Sequence, residues 1–314
     1  MLIIVIVSWN VCRLLRACLT SIDACACSRM RQQVIVVDND STDGSAEMVA
    51  REFPHVHLLR QPNNGFSAGN NAGLRLAETL WHAAADGEDY ALLLNPDTVV
   101  SPGAFDSLVD AMRAHPRVGL IGPQLRYPDG TTQSSRRRFP TLEVARYEST
   151  WAAARAPHGL LDFYYMRDVP DDQPCEVDWV VGAAMLVRRE VYERVGPLDE
   201  HTFFMYSEET DWCKRIHDAG WAVRYEPSAC IVHHEGGSST QASARRMVLF
   251  NTSKVRFFRK HFGVEQADAL RQCLLAQFRR EIFLETLKML LGHKSAMRRE
   301  RIGAYRAVLK SNLV

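Results

Sequence analysis

Residues 34–45 read VIVVDNDSTDGS. Four β-branched residues in a row, 34–37, suit a strand covered on both faces. The run stops at Asp38. Asn39, Asp40, Asp43 and Gly44 follow, residue types that build turns and cap helices. Residues 45–53 then carry apolar positions at helical spacing. The same alternation recurs on either side. Residues 2–7, 56–59 and 90–94 are strand-length apolar runs, and 14–24 and 68–85 have helical spacing. This pattern predicts βαβ units and an α/β fold with a mostly parallel sheet. Ligands of such sheets gather at the carboxyl ends of the strands, so the polar residues standing there are the candidates for chemistry.

Asp38 stands at one such end. Its carboxylate can accept a pyrimidine ring N–H or a ribose hydroxyl; the plainer alternative is an Asx turn, with Asp43 or Ser45 capping the next helix. Residues 62–73, PNNGFSAGNNAG, place Asn64, Gly65 and Asn70 around a helix start near Ser67. Glycines permit close backbone approach, and a helix N-terminus favours phosphate. The loop is neither G-x-G-x-x-G nor G-x-x-x-x-G-K-[ST], which disfavours dinucleotide-fold dehydrogenases and P-loop enzymes. Residues 90–100, YALLLNPDTVV, end a strand at Asn95-Pro96-Asp97. Proline stops the strand and turns Asp97 outward, where a carboxylate beside a diphosphate suits Mg²⁺ or Mn²⁺.

In this order and spacing, with VSWN at 7–10, these segments resemble the family 2 glycosyltransferases of GT-A fold. The resemblance continues in residues 177–221, VDWVVGAAMLVRREVYERVGPLDEHTFFMYSEETDWCKRIHDAGW, and in 231–239, IVHHEGGSS. It runs from residue 1 to about 262 and is nearest the bacterial branch that includes rhamnosyltransferases of O-antigen and cell-wall synthesis. The resemblance implies a Rossmann-like, mixed but mostly parallel sheet flanked by helices, and a nucleotide-diphosphate sugar, dTDP- or UDP-linked, as donor. It implies that Asp38 and the loop residues Asn64, Gly65 and Asn70 meet the nucleotide. Asn95-Pro96-Asp97 stands where many relatives have Asp-x-Asp. Asp97 would then bind the metal and donor diphosphate, and Asn95 replaces the first aspartate. His233, beside His234, matches a histidine that completes the metal site in some relatives. Glu208-Glu209 occupies the place of a Glu-Asp pair whose second member is the catalytic base, so Glu209 would be that base, one methylene longer than aspartate. The helix dipole also favours such first-turn carboxylates without any catalytic role.

The reading is an inverting, metal-dependent transfer of a sugar, rhamnose among the candidates, to a glycan or lipid-linked hydroxyl in cell-surface polysaccharide synthesis. Two alternatives stay open. A nucleotidyltransferase would carry a Gly-rich, basic loop near the first strand, where this chain has VSWNVCRLL. A non-catalytic sugar-nucleotide-binding module would fit the Asn95 and Glu209 departures.

Composition agrees with an enzyme of this size. The chain has 314 residues, 46% hydrophobic and 24% charged, enough for about two domains with a substantial core. A net charge of +1 argues against a nucleic-acid partner. Eight scattered cysteines without a CxxC pair fit a reducing cytoplasm rather than zinc or a disulfide framework. The first apolar run is too short for a signal peptide or a spanning helix. The expected division is a catalytic domain over 1–262, its nucleotide-sugar half at 1–125 and its acceptor half at 126–262, followed by a basic helical extension over 263–314. Residues 245–314 hold 16 Lys or Arg against 5 Asp or Glu, a net of +11 that leaves −10 on the rest. Ala267, Leu270, Leu274, Phe278 and Ile282, then Phe283, Leu287 and Leu290, recur at helical spacing. Packing on the main domain, a homodimer contact and attachment to the anionic inner face of the plasma membrane are all open uses of such a segment.

Overall fold

The computed structural model describes residues 1–84, 88–234, 243–291 and 294–314. The last residue of the helix expected over 68–85, and Gly236-Gly237, lie outside them. The strands are β1 (Leu2–Ser8), β2 (Gln32–Asn39), β3 (His57–Gln61), β4 (Tyr90–Leu94), β5 (Thr98–Val100), β6 (Val118–Arg126), β7 (Thr132–Gln133), β8 (Arg136–Arg137), β9 (Cys175–Val177), β10 (Trp179–Val180), β11 (Ala184–Arg188) and β12 (Ala222–His233). The helices are α1 (Cys12–Ala24), α2 (Ser45–Glu52), α3 (Phe66–Ala84), α4 (Ala104–Ala114), α5 (Leu142–Tyr147), α6 (Leu160–Tyr164), α7 (Arg189–Val195), α8 (Glu208–Asp218), α9 (Ser243–Phe262), α10 (Val264–Leu290) and α11 (Ser295–Ser311).

The chain forms two compact units. The first comprises Met1–Phe139, Asp162–Glu200 and Glu208–Ser238; the second comprises Pro140–Leu161, His201–Ser207 and Ser239–Val314. Thus α9, within the 1–262 span of the expected catalytic domain, is grouped with α10 and α11.

The first unit is built on a sheet of order β3-β2-β1-β4-β11-β6-β12-β5, with β7 on β6 and β9 on β12. The block β3-β2-β1-β4 is parallel, β11 runs antiparallel to β4 and β6, and β12 runs parallel to β6. This is the expected α/β architecture of mixed, largely parallel strands flanked by helices. All of β1 is buried, which is why it reads as an unbroken apolar run. Helix α1 turns Leu15, Cys18, Leu19 and Ile22 inward, and α4 does the same with Phe105, Leu108, Val109 and Met112.

Three elements differ from the sequence reading. The nine-residue strand β6 is central, yet residues 118–126 contain two glycines and a proline and carry no clear strand signal. Its glycines answer to close neighbours: a Cβ on Gly122 would stand 2.7 Å from Val180 Cγ1. The sequence also offers two short strands, 221–225 and 229–232, but they are one strand, β12, whose pairing with β6 shifts register between Glu226 and Cys230, around Pro227. It offers one apolar stretch at 177–187, which divides among β9, β10 and β11 with breaks at Asp178 and around Gly182.

Helix α3 lies against β1 through small residues. A Cβ on Gly69 would fall 2.6 Å from Val7 Cγ1, and one on Gly73 would fall 2.3 Å from Val5 Cγ1. These glycines serve helix–strand packing. Gly73→Ala is expected to destabilise the protein by about 1–3 kcal/mol, because overpacking against a fully buried valine outweighs the roughly 1 kcal/mol gain in helix propensity. An unchanged urea midpoint would show that α3 has room to shift.

In the second unit, α10 buries Ala267, Leu270, Leu274 and Phe278, and Phe278 packs edge-on against Trp151 and tilted against Tyr305. The expected apolar stripe therefore splits. Its first four residues pack inward, whereas Phe283, Leu287 and Leu290 are exposed.

Candidate active site

The sheet register brings the candidate residues to one edge. Asp38 pairs with Ser8 across β2 and β1. β4 lies on the other side of β1, parallel to it, and ends at Leu94, so Asn95-Pro96-Asp97 follows at the same carboxyl end. Asp38 is buried. Its Oδ2 accepts the Ser41 amide at 3.0 Å, the expected Asx turn, while Oδ1 is buried without a partner. The Asx turn therefore occupies one oxygen and leaves the other unused. Asp43 is a cap, and caps two elements: Oδ2 accepts the Cys12 amide at the start of α1 at 2.7 Å, and Oδ1 accepts Ser45 at the start of α2.

The loop before α3 is held from β2. Asn39 donates to the Gly65 carbonyl at 3.1 Å, and the Gly65 amide donates to Asn63 Oδ1 at 3.2 Å. Gly65 has φ +100°, a conformation that side-chain-bearing residues rarely adopt. Asn64 is exposed on this loop. Asn70 is buried, and its amide donates to the Phe66 carbonyl one helical turn back. Asn71 is a structural clamp that sequence reading passed over, bonding both the amide and the carbonyl of Leu198.

Asp97 and His233 meet. His233 ends β12, which pairs antiparallel with β5 so that His233 lies opposite Thr98. His233 Nε2 lies 3.3 Å from Asp97 Oδ1, yet that oxygen has no hydrogen-bond partner, so the two atoms are close without being aligned as donor and acceptor. On the far side of the ring, Nδ1 sits 2.9 Å from Gln133 Oε1. A carbonyl oxygen can only accept, so Nδ1 carries a proton, and in the neutral ring Nε2 presents its lone pair beside the carboxylate. An oxygen and a nitrogen lone pair converging on one spot form a donor set that fits a divalent cation. Among the described residues, no group of three or more His, Cys, Asp or Glu is arranged to hold a metal. His234 is separate: its amide donates to the Asp97 carbonyl.

Glu208 and Glu209 open α8, joined to the same edge through a short bridge. The Asn95 amide donates to the Ala183 carbonyl at 2.9 Å. Next to Ala183, Gly182 is so placed that a Cβ on it would stand 3.5 Å from Glu209 Cβ. Glu209 is half-buried as a residue, but its Oε2 is shut off from solvent without a partner, and so is Glu208 Oε2. Burial pushes the Glu209 carboxyl up to about 7, against the pull of its own and Thr210's backbone amides and of Arg137. Burial, then the Glu209 charge, raises Glu208 well above the usual carboxylate range. Two adjacent carboxyls in such surroundings cannot both ionise easily, and one is poised near neutrality. Asp211, in the same first turn, accepts Arg215 Nε at 2.9 Å.

Residues 3–196 match the family described as Glycosyl transferase family 2. The chain belongs to glycosyltransferase family 2. A relative from Mycobacterium tuberculosis, N-acetylglucosaminyl-diphospho-decaprenol L-rhamnosyltransferase, is 32% identical over 238 residues, covering 73% of this chain and 76% of that one. Rhamnosyltransferase WbbL of Escherichia coli is 26% identical, covering 64% and 72%. Among solved structures, the fold is similar to mannosyltransferase PcManGT from Pyrobaculum calidifontis in complex with GDP-Man and Mn²⁺, with TM-score 0.52, 17% identity, and coverage of 99% of this chain and 85% of that one. It is also similar to GalNAc-T7 with UDP, GalNAc and Mn²⁺, with TM-score 0.55, 14% identity, and coverage of 74% and 43%. The GT-A expectation and the likeness to rhamnosyltransferases are thereby borne out.

Several residues around the candidate site escaped sequence reading. Ser8 Oγ and Ser67 Oγ are buried without partners, as is Oδ1 of Asn95, which sequence reading had named. Ser8 was reachable by applying the strand-end rule to the first strand. Gln133, Arg137 and Gly182 act through contacts far away in sequence and carry no local signal.

Proposed function

We propose that this enzyme is an inverting glycosyltransferase using a nucleotide-diphosphate sugar, with rhamnose the sugar favoured by its relatives and a lipid-linked or glycan hydroxyl as acceptor. One observation carries the reading: buried carboxylate oxygens without partners at one sheet edge, on Asp38, Asp97 and Glu209. Unpartnered buried charge is costly and calls for a ligand. Asp38 Oδ1 accepts from the nucleotide. Ser67, in the first turn of α3, offers a hydroxyl where phosphate is favoured. Asp97 and His233 would hold Mg²⁺ or Mn²⁺, which when bound would offset the charge developing on the departing diphosphate. Glu209, backed by Gly182, takes the proton of the attacking acceptor hydroxyl. Glu208, its carboxyl raised further by burial, stays protonated and leaves Glu209 as the ionised partner. A single displacement from the opposite face inverts the anomeric centre. A lipid-linked acceptor places the work at the cytoplasmic leaflet.

The test is transfer from dTDP-rhamnose and from UDP-hexoses to a polyprenyl-diphosphate-linked sugar, with Mn²⁺ and with chelator. No transfer or donor hydrolysis with any of these donors would sink the reading. Because the base must be ionised, kcat/KM should rise with pH through a midpoint near 7, the value to which burial lifts Glu209, and level off above it. A flat profile between about pH 6 and 8 would remove a carboxyl of this kind from the rate-determining proton transfer.

A further inference from the structure

The distal half of α10 carries a surface that transfer chemistry does not use. Phe283, Leu287, Leu290 and Leu291 are 67%, 48%, 76% and 77% exposed. At 100° per residue they fall on one side of the helix, and Arg279 and Arg280, both exposed, lie on that side one turn earlier. The acids of this stretch face the other way. Glu281 and Glu285 are buried, and Glu285 pairs with the buried Arg298 of α11 at 2.5 Å. On α11, Arg299, Arg301, Arg306 and Lys310 are exposed, with Glu300 the one acid among the helix's exposed residues. The distal half of α10 therefore turns Glu281 and Glu285 inward and presents an apolar strip with Arg279 and Arg280 beside it. No described helix is long and apolar enough to cross a membrane.

We infer that this strip docks on an anionic lipid surface, with Phe283, Leu287, Leu290 and Leu291 inserting shallowly and the bordering arginines meeting phosphate headgroups. Charge decides between occupants. A second copy seated on the same strip would bring two positively bordered surfaces together, whereas a headgroup layer is complementary to that border. Shallow apolar burial combined with basic attraction is the pairing that gives reversible attachment, and the long aliphatic stem of arginine lets its guanidinium reach upward from the apolar strip. The docking rests on the surface itself; its use, bringing the enzyme to a lipid-linked acceptor, rests on the function proposed above.

The experiment is co-sedimentation of the full chain with vesicles of phosphatidylcholine alone or mixed with phosphatidylglycerol, at low and high salt, with size-exclusion in parallel. The wild type should bind only the mixed vesicles and release in high salt. F283S/L290S/L291S, which alters only exposed side chains, should lose at least about tenfold in vesicle affinity, and R279E/R280E should do likewise. Donor hydrolysis without vesicles should be unchanged in both, which separates this proposal from the catalytic one. Wild-type protein that ignores anionic vesicles, a triple variant that binds them equally well, or a wild-type dimer that the triple variant converts to monomer would each overturn the inference, the last assigning the strip to a second copy.

Discussion

Glu209→Gln is expected to lower turnover by about 10²–10⁴-fold, the range for loss of general-base assistance, with donor binding nearly unchanged. Glutamine keeps the shape that packs against Gly182, so the local structure survives. What disappears is the proton acceptor and, with it, the rise of rate with pH near 7. Glu208→Gln should be far milder, because burial and its neighbour's charge already favour the protonated form of that residue. The measurement is single-turnover transfer with each variant, alongside donor affinity. If Glu208→Gln proves crippling and Glu209→Gln does not, the base is the other member of the pair.

Asp97→Ala should weaken the Mn²⁺-dependent affinity for a nucleoside diphosphate by about 100-fold or more, since a metal clamp is worth several kcal/mol and each 1.4 kcal/mol is tenfold. The fold should survive. The bond Asp97 gives the structure comes from its backbone, whose carbonyl accepts the His234 amide, whereas the buried side-chain oxygen Oδ1 accepts nothing. Titration calorimetry with UDP or dTDP, with and without Mn²⁺, reads the effect directly. Equal metal-dependent affinity in the variant would remove Asp97 from the site. His233→Ala tests the second ligand, and Gln133→Ala tests the residue that fixes its tautomer.

The strand-end candidates were legible because a parallel strand buried on both faces is a continuous apolar run, and the first polar residue after it marks the sheet edge. Asp38 and Asp97 were found that way. Glu209 and His233 were not; only likeness to a family pointed to them, since a glutamate in a helix's first turn and a histidine after a strand have ordinary structural uses. In the basic segment, spacing identified helices but not which side faces inward. Leu274 and Phe278 obey the same periodicity as Phe283 and Leu287, yet the first pair is buried and the second exposed.

Sequence by itself therefore determined the βαβ alternation, the two strand-end carboxylates and the charge division between residues 1–244 and 245–314. These depend on neighbours a few residues apart. Tertiary structure alone decided that β6 is a central strand despite Gly119, Gly122 and Pro123, because the contacts that tolerate those residues come from Val180, Val191 and Trp221. It alone placed Gly182 against Glu209 and turned the His233 lone pair toward Asp97 through Gln133, a hundred residues away in the chain. Such meetings are set by strand register and by which helix packs where, and no local pattern of residues encodes them.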